Sequence, residues 1–267
     1  MPWRQGVRLP AQWPALRARL EQDGGRADLI LQVAQRSDGE TRLYWHQALD
    51  ALATWTPGYP VMLSSMGKAR ANSLAQHLAN EPLVGVSGYE PEAERFAQRW
   101  VTHASNRSQR LAQSMILYEA DQLIRPTSVE GEAQPCQRAH GDHVFAWLKA
   151  FHAEVTPWAP APGRAAVQAG LARGQYTYWS VDGRPVSLIG LRWVRGQSSR
   201  IAPVYTPPDE RQRGYASALV YHVAHDALRS GRCTLYADQD DPASNDVYRA
   251  VGFVERARFE RRMFLSD

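Results

Sequence analysis

Two arginines and a glycine stand where a strand-like run gives way to a helix-like one, in the stretch Val204-Tyr-Thr-Pro-Pro-Asp-Glu-Arg-Gln-Arg-Gly-Tyr-Ala216. The unpaired N–H groups at a helix start attract anions. Gly214 carries no side chain to block a phosphate, and it allows backbone angles closed to other residues. Arg211 and Arg213 place positive charge beside the same point. Their planar forks match phosphate oxygens. This chemistry predicts a pyrophosphate site over Arg211, Gln212, Arg213, Gly214, Tyr215 and Ala216. It is not a Walker P-loop, because no Gly-Lys-Ser/Thr follows. It is not a Rossmann fingerprint, because the first glycine and the βαβ setting are missing.

A second block lies downstream, Asp241-Pro-Ala-Ser-Asn-Asp-Val-Tyr-Arg-Ala-Val-Gly-Phe253. Arg211-x-x-Gly214-x-Ala216 resembles the Q/R-x-x-G-x-G/A pyrophosphate loop of the GCN5-related (GNAT) acetyltransferases. The second block is similar to their N-P-x-S-N-x-x-Y-x-x-x-G-F segment. The blocks occur in that family's order, with one helix and one strand between them. The resemblance covers about residues 140 to 267. Ala216 replaces the commoner glycine inside the helix, where alanine is well tolerated. Asp241 stands where asparagine is usual.

The resemblance implies a fold and a reaction. Two strands splay apart, and the pantetheine arm of acetyl-CoA enters the gap. There it pairs with backbone at Val204, Tyr205 and Thr206, while the helix start through Ser217 holds the pyrophosphate. A strand N–H polarises the thioester carbonyl, and a neutral primary amine attacks directly, with no covalent enzyme intermediate. Tyr248 matches the family's acid for the departing thiolate. Asn245 matches a contact to the pantetheine arm. The base is left open among Glu154, His152 and Tyr205, with Glu154 carried forward as the catalytic candidate. Trp158, Trp179 and Trp193 are candidates to shape the acceptor pocket. The alternative function is an acyl-CoA sensor that has lost catalysis. Neither reading needs a metal: His222 and His225 share a helix face, but no third ligand is in view.

The elements that must position these residues follow from periodicity and turn signals. Val144, Trp147, Leu148 and Phe151 fall on one face of a helix over 143–155. A shorter helix over 165–173 stops at Gly174. Asp182-Gly183 between Tyr176–Val181 and Val186–Val194 marks a hairpin, and a third strand covers 200–206. A long helix over 214–230 ends at Gly231. Then come a strand at 234–237, a helix at 243–251 and the final strands over 253–265.

The first half mixes helices and short strands, and it resembles a degenerate domain of the same family. Helices are expected at 14–22, 68–80 and 91–102, and strands at Leu29–Val33, Arg42–His46, Pro60–Ser64 and Gln113–Glu119. Ser37 to Glu40 reads as a turn. The nearest equivalent of the anion loop is Ser65-Met-Gly-Lys-Ala-Arg70, which lacks the paired arginines. The expectation is two α/β (α+β) domains in tandem, each a mixed, mostly antiparallel sheet flanked by helices. Residues 1–128 form a non-catalytic domain that covers one side of the acceptor cleft, 129–137 a linker at the polar, proline-bracketed stretch Arg125–Pro135, and 138–267 the catalytic domain.

Composition bounds the rest. The chain has 267 residues, 44% hydrophobic and 22% charged, which are ordinary globular values. A net charge of +4 is mild basicity. The arginines at 256, 258, 261 and 262 read as a solvated sheet face rather than a nucleic-acid stripe. Two distant cysteines, Cys136 and Cys233, argue for a reducing compartment. No apolar run suits a signal core or a membrane span. The expected partners are a small-molecule or peptide amine, with no nucleic acid and no membrane. The expected protein is cytoplasmic, a monomer or a homodimer.

Overall fold

The computed structural model describes residues 2–35, 39–103, 106–155, 161–194 and 198–266. In chain order the elements are β1 (Trp3–Gly6), α1 (Trp13–Glu21), α2 (Gly25–Gln35), β2 (Arg42–His46), β3 (Leu52–Trp55), β4 (Val61–Leu63), α3 (Gly67–His77), β5 (Gly85–Tyr89), α4 (Glu92–Val101) and β6 (Arg107–Ala120). They continue with β7 (Glu132–Pro135), α5 (Gly141–Val155), α6 (Arg164–Ala172), β8 (Tyr176–Val181), β9 (Arg184–Val194), β10 (Ser198–Tyr205), α7 (Tyr215–Leu228), β11 (Arg232–Asp238), α8 (Pro242–Val251) and β12 (Phe253–Ser266). The fold is mixed α/β, with mostly antiparallel sheet flanked by helices.

Contacts divide the chain into two compact units. The first holds Met1–Leu117, Ala237–Asp241 and Glu255–Asp267, and the second holds Tyr118–Tyr236 and Pro242–Val254. In the first unit β1, β2, β3 and β4 pair antiparallel in sequence, and β4 then pairs in parallel with β5. The C-terminal part of β12 runs antiparallel along β5, from Phe259 opposite Tyr89 to Met263 opposite Gly85. Gly85 is required here, since a Cβ at that position would sit 2.4 Å from the Arg262 carbonyl oxygen. One core packs Tyr44, Trp55, Val61, Leu74, Phe96 and Trp100 between sheet and helices. Another packs Leu16 and Leu20 of α1 and Ile30 and Leu31 of α2 against Leu43 and Leu52.

One reading of the first half differs from what is observed. Leu29–Val33 is not a strand but the middle of α2. Five apolar-rich residues fit either element, and the neighbours Ala27, Ile30, Leu31 and Ala34 bury as a helix does. The turn read at Ser37 and Asp38 lies outside the described residues. The expected linker contains β7, whose Glu132–Pro135 pairs antiparallel with Thr177–Ser180 of β8.

In the second unit β7, β8, β9 and β10 are antiparallel neighbours, and β10 pairs in parallel with β11. Asp182 and Gly183 both take positive φ in the tight turn between β8 and β9, as the sequence predicts. Helices α5 and α6 cover one side of the strands: Val144, Leu148, Val167 and Leu171 pack on Tyr176, Tyr178 and Leu188. Helix α7 packs on β8, β9 and β10, and on α8.

Candidate active site

Strands β10 and β11 pair only from Ser198 opposite Arg232 to Ile201 opposite Leu235. β10 continues to Tyr205 beyond this pairing, with no strand partner on that side among the described residues. The cause is local. The register with β9 slips between Ile201 and Val204, and Pro203 has no N–H to donate to a ladder. Gly190 on β9 makes room for the bulge, since a Cβ there would lie 2.5 Å from the Ala202 carbonyl oxygen. The strands therefore separate at Val204 and Tyr205, where the sequence places the pantetheine arm. On the other side of β10, Ser187 Oγ donates to the Tyr205 carbonyl at 3.2 Å and lies 2.9 Å from Thr206 Oγ1.

Beyond Thr206 the chain turns through prolines into the start of α7. Arg211, Gln212, Arg213 and Gly214 are exposed, while Ala216 and Ser217 are half-buried. Gly214 caps α7 at φ +79°, and Gln212 also has positive φ, +64°. No side chain caps the helix. The first intrahelical bond runs from Ala218 N–H to the Gly214 carbonyl. The N–H groups of Tyr215, Ala216 and Ser217 precede it and have no helical carbonyl behind them. This is an uncapped helix start next to a parted strand pair, and it suits an anion.

The loop arginines are both held by carboxylates. Arg213 lies 3.3 Å from Glu210 and donates to the Asp209 carbonyl, while Glu210 is also paired with Arg184. Arg211 donates through Nε to the Thr206 carbonyl at 2.9 Å and through Nη2 to Glu154 Oε2 at 2.7 Å. Glu154 sits at the end of α5, so the candidate base and the candidate pyrophosphate arginine touch each other. The Tyr205 hydroxyl pKa is raised, first by burial and then by the Glu154 carboxylate, while Arg211 lowers it. Trp147 stacks edge-on to Tyr205 at 5.9 Å. His152 is held below the usual imidazole value, first by burial and then by Arg192.

On α8, Asn245 and Tyr248 are both buried. Tyr118 of β6 donates its hydroxyl hydrogen bond to Asn245 Oδ1 at 3.0 Å, and its ring lies 5.9 Å from that of Tyr248. Gly252, at φ +98°, lets the chain pass close to the Gln122 carbonyl, where a Cβ would come within 2.1 Å. The motif's glycine thus seats α8 on the segment after β6.

Other candidates separate from this centre. Trp179 donates to the Glu130 carbonyl at 2.8 Å as a structural tie, Trp193 is 51% exposed, and Trp158 lies outside the described residues. His222 and His225 each face Asp226 from the surface of α7. No group of three or more metal-type side chains occurs among the described residues. Of the arginine stripe, Arg261 is bonded to Gln113 and Arg262 to Glu260 and Gln109, so these two serve the first unit's own packing. Burial pushes the Cys136 thiol up to about 12, which leaves it a poor nucleophile. No helix among the described residues is long and apolar enough to cross a membrane. Sequence reasoning missed Trp147, Ser187, Tyr118 and also Val129, which lies against Gly214. These act through contacts between distant segments, and no local motif marks them.

Comparison with known proteins agrees with this geometry. The model of the acetyltransferase (GNAT) family matches residues 138–253. A GNAT-family acetyltransferase from Colwellia psychrerythraea superposes with a TM-score of 0.67 at 9% identity, covering 100% of both chains. A GCN5-related N-acetyltransferase from Sphaerobacter thermophilus gives 0.66 at 17% identity, covering 100% of this chain and 96% of the other. These identities speak for the fold. A search of curated proteins finds no match. Residues 138–253, which hold the uncapped α7 start and the parted strands, match the acetyltransferase (GNAT) family.

Proposed function

We propose that the chain transfers an acetyl group from acetyl-CoA to a primary amine, by direct attack within a ternary complex. The observation that carries this reading is the parting of β10 from β11 beside the uncapped start of α7. The edge of β10 from Val204 to Thr206 that faces away from β9, beyond the last pairing with β11, takes the pantetheine amides as a further strand would. The N–H groups around Tyr215 to Ser217 take the pyrophosphate, helped by Arg211 and Arg213. A β10 N–H aimed at the thioester oxygen stabilises the charge that develops on attack. An amine with a pKa near that of lysine, about 10, must lose a proton first, and Glu154 accepts it. Tyr248 protonates or hydrogen-bonds the departing thiolate. The acceptor is a small-molecule amine or a peptide amine, and the chain works in the cytoplasm as a monomer or homodimer.

The test is a panel of primary amines with acetyl-CoA, read by thiol release. Acceptor-dependent release supports the reading. Saturable acetyl-CoA binding with no turnover on any acceptor would favour a sensor instead.

A further inference from the structure

The two loop arginines are neutralised differently. Arg213 is paired with Glu210, a neighbour in the same loop that Arg184 also holds. Arg211 is paired with Glu154, which reaches it from a different element, α5. Arg211 and Glu154 side chains are 46% and 43% exposed, so their contact is a weak one that a stronger anion can break. A pyrophosphate brings more charge and several acceptor oxygens to the same guanidinium.

We propose that acetyl-CoA binding moves Arg211 from Glu154 to the cofactor's pyrophosphate, and that the carboxylate so released receives the ammonium of the acceptor amine. This rests on the acetyl-transfer reading above. Without cofactor, Glu154 is spent on Arg211 and offers an amine little. With the cofactor in place, Glu154 is a carboxylate released from Arg211 near Tyr205, whose ring meets Trp147, at the parted strands. It takes one proton from the ammonium. The amine lone pair then attacks the acetyl carbon, the C–N bond forms and the C–S bond breaks. The electron pair leaves on sulfur, which collects the second amine proton by way of Tyr248. Glu154 returns its own proton to water. The one residue thus couples cofactor loading to acceptor binding through a reciprocal exchange of partners.

The test uses the full-length chain and the variants Glu154→Gln, Arg211→Gln and the double variant. Calorimetry without acceptor gives CoA affinity, and inorganic pyrophosphate serves as a second probe. Glu154→Gln should bind CoA and pyrophosphate about two- to fivefold more tightly, the range open to an exposed ion pair. Its kcat/KM for the best amine of the panel should fall at least tenfold. The tightening should vanish when Arg211 is already glutamine. Unchanged or weaker CoA binding by Glu154→Gln would overturn the exchange, since Arg211 would then hold both groups at once. Equal tightening in the Arg211→Gln background would also overturn it, as general charge removal. If the parent chain acetylates no amine, the acetyl-transfer reading fails on its own, and the calorimetric arm still decides the exchange.

Discussion

Helices α3 and α7 begin alike. Each follows a strand that pairs in parallel with the next strand of its sheet, β4 with β5 and β10 with β11. Each starts at a glycine in the left-handed region, Gly67 at φ +72° and Gly214 at φ +79°. They differ in what meets the helix start. At α3 the Gly67 N–H donates at 3.2 Å to Oε1 of Glu92, a carboxylate from the first turn of α4 that is only 6% exposed. At α7 no side chain among the described residues bonds an N–H of the helix start, and cations flank it. A helix N-terminus is a site for an external anion only while the protein supplies none of its own. The Glu92 carboxyl already occupies the start of α3, and a phosphate brought there would have to displace a buried side chain. The difference lies in the arginine pair at α7 and in one acidic residue at α3 that no loop motif records.

The comparison breaks first at Gly214. Gly214→Val should lower CoA affinity at least a hundredfold by calorimetry. The branched side chain is forced into a left-handed backbone and blocks the phosphate approach, and its Cβ would also meet Val129 at 3.0 Å. A variant that binds CoA like its parent would remove the pyrophosphate from α7. Tyr248→Phe should come next. It should cut kcat roughly ten- to a hundredfold while leaving CoA affinity unchanged, since the hydroxyl acts as the thiolate leaves. α4, the helix after β5, offers no tyrosine. An unchanged kcat, with chemistry rate-limiting, would strip Tyr248 of its role.

Much of the α7 region was legible because its signals are local. Pro207, Pro208, Arg211, Arg213 and Gly214 lie within eight residues, and the Asp182-Gly183 turn fixes the hairpin that leads there. The α3 region was less so. β3 is only four residues, and β5 carries Gly85 and Gly88, which mask strand propensity. Those glycines answer to tertiary contacts: Gly85 to the Arg262 carbonyl and Gly88 to Leu63. Glu92 lies in the first turn of the helix expected at 91–102, where an acid is favoured. That it caps a different helix, 25 residues back, depends on the fold. The Arg211–Glu154 pair spans 57 residues and was equally hidden, although each member was singled out alone.

Glu92→Ala sharpens the comparison from the other side. It removes the acceptor of the Gly67 N–H and should cost about 1–3 kcal/mol in denaturant unfolding. CoA stoichiometry should stay at one per chain, because α3 lacks the arginine pair. A second CoA site in this variant would mean that Glu92 alone separates the two helices.

The smallest effect belongs to Gly67→Ala, and it isolates the glycine from everything around it. A Cβ at Gly67 meets nothing within 4 Å, so no steric clash enters. What remains is the strain of an alanine at φ +72°, about 1–2 kcal/mol. The lower backbone entropy of alanine in the unfolded chain gives back about 0.4–1 kcal/mol. The net loss should be close to 1 kcal/mol, a shift of a few degrees at most in a chain of this size. CoA affinity should not change. Gly214→Ala carries the same backbone strain at nearly the same φ and adds the approach of its Cβ to Val129 at 3.0 Å, so it should destabilise somewhat more, and it should weaken CoA binding clearly. Run side by side, the pair separates a glycine kept for the backbone from one kept for a ligand. If Gly67→Ala weakened CoA binding threefold or more, α3 would have a part in the cofactor site and the contrast between the two helix starts would fall.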